Sequence, residues 1–148
     1  MIRTQRAHLN VEAHTHAGMT GKNNEDRYAV ASFFNNAQER VPVLFAVLAD
    51  GIGGHRGGEV AAELAVNNIM QSIAKGDGKY SRHLIENAVS EASEAIAAHS
   101  SSNDELKGMG STCVIAWIIA DNLYTSYVGD SRIYLLRGGR TQQLTTDH

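Results

Sequence analysis

The apolar run from Val43 to Ala49 ends abruptly at the dipeptide Asp50-Gly51, and no other segment constrains the fold as strongly. A run of seven apolar residues is typical of a buried strand, since a membrane-spanning helix needs about 20. Glycines dominate the stretch from Gly51 to Gly58, and a helical pattern follows it. The pattern predicts a buried strand with a carboxylate at its end. It also predicts a glycine-rich segment, which other groups can approach closely, and a helix after it.

The Asp50-Gly51 pair by itself permits more than one interpretation. A rigid strand end could hold the Asp50 carboxylate while the Gly51 carbonyl turns toward the same Mg²⁺ or Mn²⁺ ion, since these ions prefer oxygen ligands. The pair could equally be a tight turn, because both residues are common turn formers. The glycines could also cradle a nucleotide phosphate, but they match the spacing of neither the dinucleotide fingerprint nor the P-loop.

Two further acidic segments lie at predicted strand boundaries. Glu25 and Asp26 precede an alternating strand that ends at Phe34, and Asp130 stands between two predicted strands. Each segment alone could be a solvated turn. If the strands are neighbours, Glu25 and Asp26 are well placed to hold metal-bound water beside Asp50. Three acidic strand ends together favour a site for a divalent cation.

The motifs that contain these acids resemble those of the metal-dependent protein phosphatases, the PPM or type 2C family, in order and in approximate spacing. The matching segments are Asn24-Glu25-Asp26, Ala49-Asp50-Gly51-Ile52-Gly53-Gly54-His55, Gly108-Met109-Gly110-Ser111-Thr112, Val128-Gly129-Asp130-Ser131-Arg132 and Leu144-Thr145-Thr146-Asp147-His148. The resemblance covers nearly all of this chain. It corresponds only to the N-terminal part of a usual catalytic domain of the family.

The resemblance implies a protein serine/threonine phosphatase with two Mn²⁺ or Mg²⁺ ions and a phosphoprotein substrate. Asp50 would bridge both ions, the Gly51 carbonyl would bind one of them, and Asp130 would help to hold a third. Glu25 and Asp26 would act through metal-bound waters, and together with Asp50 they are the predicted catalytic residues. A water activated by the metals would attack the phosphorus of phosphoserine or phosphothreonine.

The sequence also departs from the family pattern. Many members have an arginine at the position of Gly21, where it can bind phosphate; here the adjacent Lys22 is the candidate phosphate-binding residue, as a point charge. Some members have a histidine where this chain has Ile52. Further metal ligands of the family would lie beyond His148, so weak or no turnover is expected of this chain alone. The alternative is a phosphatase-like module that binds or regulates without catalysis.

The periodicity of the apolar residues predicts an α+β fold. Strands are predicted at residues 8–13, 28–34, 41–49, 111–119, 123–128 and 133–136. Two amphipathic helices are predicted, from Glu59 to Ala74 and from Arg82 to His99. The resemblance implies an incomplete α-β-β-α layered sandwich with mainly antiparallel sheets. The open sheet edge or apolar face of such a partial sandwich would invite self-association or pairing with a complementary segment.

Length and composition predict a single domain, residues 1–148, and the resemblance implies that this domain is the N-terminal portion of a phosphatase catalytic domain. The chain is 43% hydrophobic and 20% charged, as in an ordinary globular protein. Its net charge of −3 predicts no basic surface for nucleic acid or for an anionic membrane. The N-terminal residues lack the apolar stretch of a secretory signal, so the expected location is the cytoplasm.

Cys113 and the paired histidines suggest other chemistries that the sequence does not favour. A cysteine phosphatase needs an arginine six positions after its cysteine, where Ile119 stands, and a cysteine within an apolar strand usually packs. His14 and His16 would share one side of a predicted strand and could bind zinc, but no further ligands have a suitable spacing. We therefore expect Cys113 to be a core residue and the histidines to be surface or hydrogen-bonded residues.

Overall fold

One antiparallel sheet dominates the computed structural model, which describes residues 1–19, 23–53 and 57–148. Its strands are β1 (Ile2–Arg3), β2 (Asp26–Phe34), β3 (Pro42–Ile52), β4 (Gly110–Ser111), β5 (Cys113–Ile119) and β6 (Asn122–Val128). The order across the sheet is β1-β2-β3-β5-β6, and β4 pairs with the end of β3. Strands β7 (Tyr134–Arg137) and β8 (Arg140–Gln143) form a separate antiparallel hairpin.

Two helices cover one face of this sheet. Helix α1 (Gly57–Ala74) packs on β2 and β3, and helix α2 (Arg82–Ser102) packs against α1. Ser81 caps α2, because its hydroxyl accepts a hydrogen bond from the Leu84 amide at 3.2 Å. The core between helices and sheet includes Phe33, Phe45, Val47, Ile69, Ile73, Ile85, Ile115 and Trp117. Neither of these helices is long and apolar enough to cross a membrane, and the described residues hold no other candidate span.

The opposite face of the sheet also carries apolar side chains, and we call it the open face. Strand alternation places there the residues Tyr28, Val30, Leu44, Ala46, Leu48, Val114, Ala116, Ile118, Leu123 and Tyr127. Tyr28, Leu48 and Leu123 are 40%, 38% and 40% exposed. Residues 11–14 line a cavity of about 330 Å³ over part of this face, so they cover it only in part.

The predicted α+β class, the mainly antiparallel pairing and the two amphipathic helices are confirmed. The predicted strand at residues 8–13 is wrong, because this segment forms neither helix nor strand and every residue in it is exposed. The place beside β2 is taken instead by Ile2 and Arg3, which pair with Phe34 and Phe33. The short strand β8 was not predicted either, since it has no apolar alternation.

Candidate functional site

The pairing of β2 with β3 brings the first two acidic segments together. Asp26 is the direct partner of Asp50 in the antiparallel ladder, so both carboxylates project from the open face, with Cβ atoms about 5 Å apart. The carbonyl of Glu25 accepts a hydrogen bond from the Gly51 amide at 3.2 Å. The strand that begins at Asp26 therefore lies beside the strand that carries Asp50, and this arrangement is the one that a shared cation site requires.

The third acidic segment is connected to Asp50 through Thr112. The Thr112 amide donates a hydrogen bond to the Asp50 carbonyl at 2.8 Å, and Thr112 Oγ1 accepts one from the Asp50 amide at 3.0 Å. The same Oγ1 lies 2.7 Å from Oγ of Ser131, the residue that follows Asp130. The loop after β6 is thereby attached to the end of β3.

The pKa of Asp50 reflects the crowding of carboxylates at this place. Burial raises it above its ordinary value, and the negative charges of Asp26, Asp130 and Glu25 raise it further. A divalent cation would relieve this repulsion, and an all-oxygen donor set suits Mg²⁺ or Mn²⁺.

The ligand set is nevertheless partial. Among the residues that the structure describes, no three His, Cys, Asp or Glu side chains converge closely enough to hold a metal ion as a group. The acidic residues of β2, β3 and the loop after β6 therefore fit one side of a cation site without enclosing it.

Glycines allow helix α1 to begin directly against β3. A Cβ added to Gly51 would lie 1.9 Å from the Gly58 carbonyl oxygen, and a Cβ added to Gly58 would lie 2.7 Å from the Glu25 carboxylate. Strand β3 also continues through Asp50 and Gly51 to Ile52, so Asp50 is not the last residue of the strand. These two glycines serve the close approach of two backbones, which corrects the interpretation of Asp50-Gly51 as a simple turn.

Arg27 is a further residue of this site, and it was not predicted from the sequence. Its guanidinium donates hydrogen bonds to the carbonyls of Asn24 at 2.9 Å and Asp26 at 2.8 Å, and to the Glu59 carboxylate at 2.6 Å. It thereby ties the acidic segment to the first turn of α1. The sequence offered one signal for Arg27, which is a charged residue at a strand position whose side chain faces the helices.

The remaining predicted residues lie apart from this site or outside the described part of the chain. Lys22 and His55 belong to the segments that the structure does not describe, so the phosphate-binding role of Lys22 stays a prediction. Cys113 is buried, and burial raises its pKa to about 12, so the thiol stays protonated at neutral pH, as expected of a core residue. His14 and His16 are exposed and lie on no strand, which removes the geometric reason for a shared zinc ion.

Known protein phosphatases match this chain in sequence. A family model described as Protein phosphatase 2C matches residues 14–148. The chain is 34% identical over 144 residues to the Serine/threonine phosphatase stp of Listeria monocytogenes serotype 4b (strain F2365). That match covers 95% of this chain and 55% of the relative, so the chain spans about half the length of the curated relatives it matches.

Solved structures match the fold as well. Serine/threonine phosphatase Stp1 from Staphylococcus aureus aligns with a TM-score of 0.69 and 29% identity, over 98% of this chain and 58% of that protein. The catalytic domain of the serine threonine protein phosphatase PstP, solved in complex with 2 manganese ions, aligns with a TM-score of 0.66 and 32% identity. That alignment covers 82% of this chain and 56% of the PstP chain.

Proposed function

The chain belongs to the protein phosphatase 2C family, and we propose on that premise that it carries the acidic part of a site that hydrolyses phosphoserine and phosphothreonine in proteins. One observation carries the proposal: Asp26 pairs with Asp50, and Asp130 and Glu25 lie close enough to raise the pKa of Asp50. Support also comes from the names of the relatives, which are serine/threonine phosphatases, and from the two manganese ions of the PstP structure.

Each acidic residue is proposed to have its own role at a pair of Mn²⁺ or Mg²⁺ ions. Asp50 would help to hold both ions, and the Gly51 carbonyl would help to hold one of them. Asp130 would help to hold a third ion. Glu25 and Asp26 would accept hydrogen bonds from water in the site and orient it toward the phosphorus.

The ions, when bound, supply charge neutralisation for the phosphoryl oxygens and lower the pKa of water. Lys22 is proposed to attract the phosphate as a point charge. Arg27 would contribute indirectly, because its hydrogen bonds to the carbonyls of Asn24 and Asp26 fix the backbone that carries Glu25 and Asp26. The substrate is proposed to be a phosphoprotein.

A phosphatase assay tests this function directly. We expect the chain to hydrolyse p-nitrophenyl phosphate and a phosphothreonine peptide slowly when Mn²⁺ is added, because further metal ligands of the family would lie beyond His148. We expect Asp50→Ala to lower that slow rate by at least about a hundredfold. Asp121→Ala is the matched control, because Asp121 is exposed at the far end of β5. Turnover that is independent of Mn²⁺, or unchanged in Asp50→Ala, would contradict the proposal.

A non-catalytic binding or regulatory module is the second candidate function. The partial ligand set favours it, since the described residues contain no group of three side chains in metal-binding geometry. In that case the chain would bind Mn²⁺ through Asp50 and show no turnover with either substrate. Isothermal titration with Mn²⁺, carried out beside the assay, distinguishes this outcome from complete loss of metal binding.

The open face is proposed to pair with a second copy of the chain or with a complementary segment. Apolar side chains exposed as a contiguous surface usually mark an interaction site. Light scattering is expected to show association that increases with protein concentration in the micromolar range, and Leu123→Asp is expected to reduce it. Leu136→Asp is the control, because Leu136 is 71% exposed on the separate β7–β8 hairpin. A monomer at every concentration would exclude pairing with a second copy.

A further inference from the structure

The hydrogen bonds between Asp50 and the residue that faces it, Thr112, differ from those of a regular antiparallel strand pair. The pairs Leu48 with Val114 and Gly51 with Ser111 place Thr112 directly opposite Asp50. Two residues facing each other in such a position normally exchange two backbone hydrogen bonds. Here the Thr112 amide donates to the Asp50 carbonyl, but the Asp50 amide donates to Thr112 Oγ1. A side-chain hydroxyl therefore takes the place of the Thr112 carbonyl.

The displaced carbonyl and the hydroxyl both have other partners. The Thr112 carbonyl accepts a hydrogen bond from Ser111 Oγ at 2.9 Å. Thr112 Oγ1 also lies 2.7 Å from Ser131 Oγ, and Thr112 is only 3% exposed. One buried hydroxyl thus joins the backbone of Asp50 to the residue next to Asp130.

Packing fixes the rotamer in which Thr112 offers this hydroxyl. A Cβ added to Gly129 would lie 2.8 Å from Thr112 Cγ2, so the threonine methyl group occupies the space beside the Gly129 backbone. A rotation about χ1 would move the methyl group out of this space. It would also leave the part-buried Asp50 amide without its acceptor, which is costly.

We propose that Thr112 is a positioning residue, which sets the orientation of Asp50 and its distance from Asp130. The inference rests on the proposed metal-binding role of Asp50. The hydroxyl determines the orientation of the peptide plane that precedes Asp50, and the Cα–Cβ bond of Asp50 is oriented with that plane. Because the same hydroxyl contacts Ser131, it couples the end of β3, which carries Asp50, to the loop after β6, which carries Asp130.

Three variants test this role. Thr112→Val keeps the shape and removes the hydroxyl, Thr112→Ser keeps the hydroxyl, and Thr141→Val makes the same change at an exposed threonine of β8. We expect Thr112→Val to speed hydrogen exchange of the Asp50 amide, followed by NMR, by at least about tenfold. We expect it to weaken Mn²⁺ binding, followed by the electron paramagnetic resonance of the free ion, by about ten- to a hundredfold. Thr112→Ser is expected to restore both properties, and Thr141→Val to match the wild type.

The Asp50→Ala variant separates failure of this inference from failure of the proposed function. If Asp50→Ala loses Mn²⁺ binding while Thr112→Val retains it with a protected Asp50 amide, the positioning role is refuted and the proposed function stands. If Asp50→Ala binds Mn²⁺ like the wild type, the proposed metal role of Asp50 is refuted, and this inference with it.

A second variant keeps the test decisive if Thr112→Val does not fold, as judged by thermal unfolding. Ser131→Ala removes the other partner of the hydroxyl and leaves Thr112 in place. The loss of one hydrogen bond is expected to weaken Mn²⁺ binding by roughly three- to tenfold. An unchanged affinity in Ser131→Ala would refute the coupling between the two acidic segments.

Discussion

An Asp50→Asn variant is expected to melt at a higher temperature than the wild type in the absence of metal, and to gain no stability from Mn²⁺. Burial and the charges of Asp26, Asp130 and Glu25 raise the pKa of Asp50, so its ionised form is disfavoured in the folded state. Asparagine keeps the shape of the side chain and removes the charge. The same change removes a carboxylate oxygen from the proposed metal site, so Mn²⁺-dependent turnover should fall by at least about a hundredfold.

The pH dependence of this effect has a definite sign. Folded Asp50 binds its proton more tightly than the unfolded residue, whose ordinary pKa is 3.8. The free energy of unfolding of the metal-free chain therefore falls as pH rises from that value through the raised pKa of the folded state. The difference in unfolding free energy between the wild type and Asp50→Asn should be near zero below this window and reach its full size above it.

Thermal unfolding with EDTA and with Mn²⁺, repeated across this pH range, provides the measurement. Mn²⁺ should raise the melting temperature of the wild type, because a ligand that binds only the folded state stabilises it. Asp121→Asn, at the exposed turn between β5 and β6, is the matched control and should behave like the wild type. A wild-type response to Mn²⁺ in Asp50→Asn would show that the ions bind elsewhere.

A Gly51→Ala variant is expected to lose more stability than a single added methyl group usually removes. The new Cβ would lie 1.9 Å from the Gly58 carbonyl oxygen, and both positions belong to the backbone of regular elements, β3 and α1. Helix α1 would have to move away from the strand. Overpacking of this kind costs about 3 kcal/mol, which corresponds to a fall in melting temperature of roughly 6–12 °C for a chain of this size.

Gly110→Ala makes the same chemical change on the strand that pairs with the end of β3. A Cβ at Gly110 would meet no atom within 4 Å, so its effect should stay within about 0.5 kcal/mol. Urea unfolding of both variants measures the difference in the free energy of unfolding. Equal midpoints for Gly51→Ala and the wild type would contradict the close packing of α1 on β3.

Mn²⁺ affinity should also fall in Gly51→Ala, because the Glu25 carboxylate borders Gly58.

The sequence by itself determined the class of the fold and indicated the acidic segments that meet at the candidate site. Apolar runs predicted β3 and β5, and helical periodicity predicted α1 and α2. These patterns are local, because they depend only on which residues of one segment are buried and not on the segments that pack against it. The acidic motifs were also visible in the sequence, and the resemblance they carry agrees with the family match. The individual roles of Asp50, Gly51, Asp130, Glu25, Asp26 and Lys22 stay predictions.

Only the tertiary structure decided which of these patterns meet. Residues 8–13 have the alternation of a strand but no neighbour to pair with, because a periodic pattern does not specify a partner. Three features of the site join residues that are distant in the chain. These are the register that sets Asp26 opposite Asp50, the contact between Gly51 and Gly58, and the hydrogen bond from the Asp50 amide to Thr112 Oγ1. Composition and periodicity describe how each segment is buried, whereas the site depends on distances between segments, which exist only after the sheet and α1 have packed.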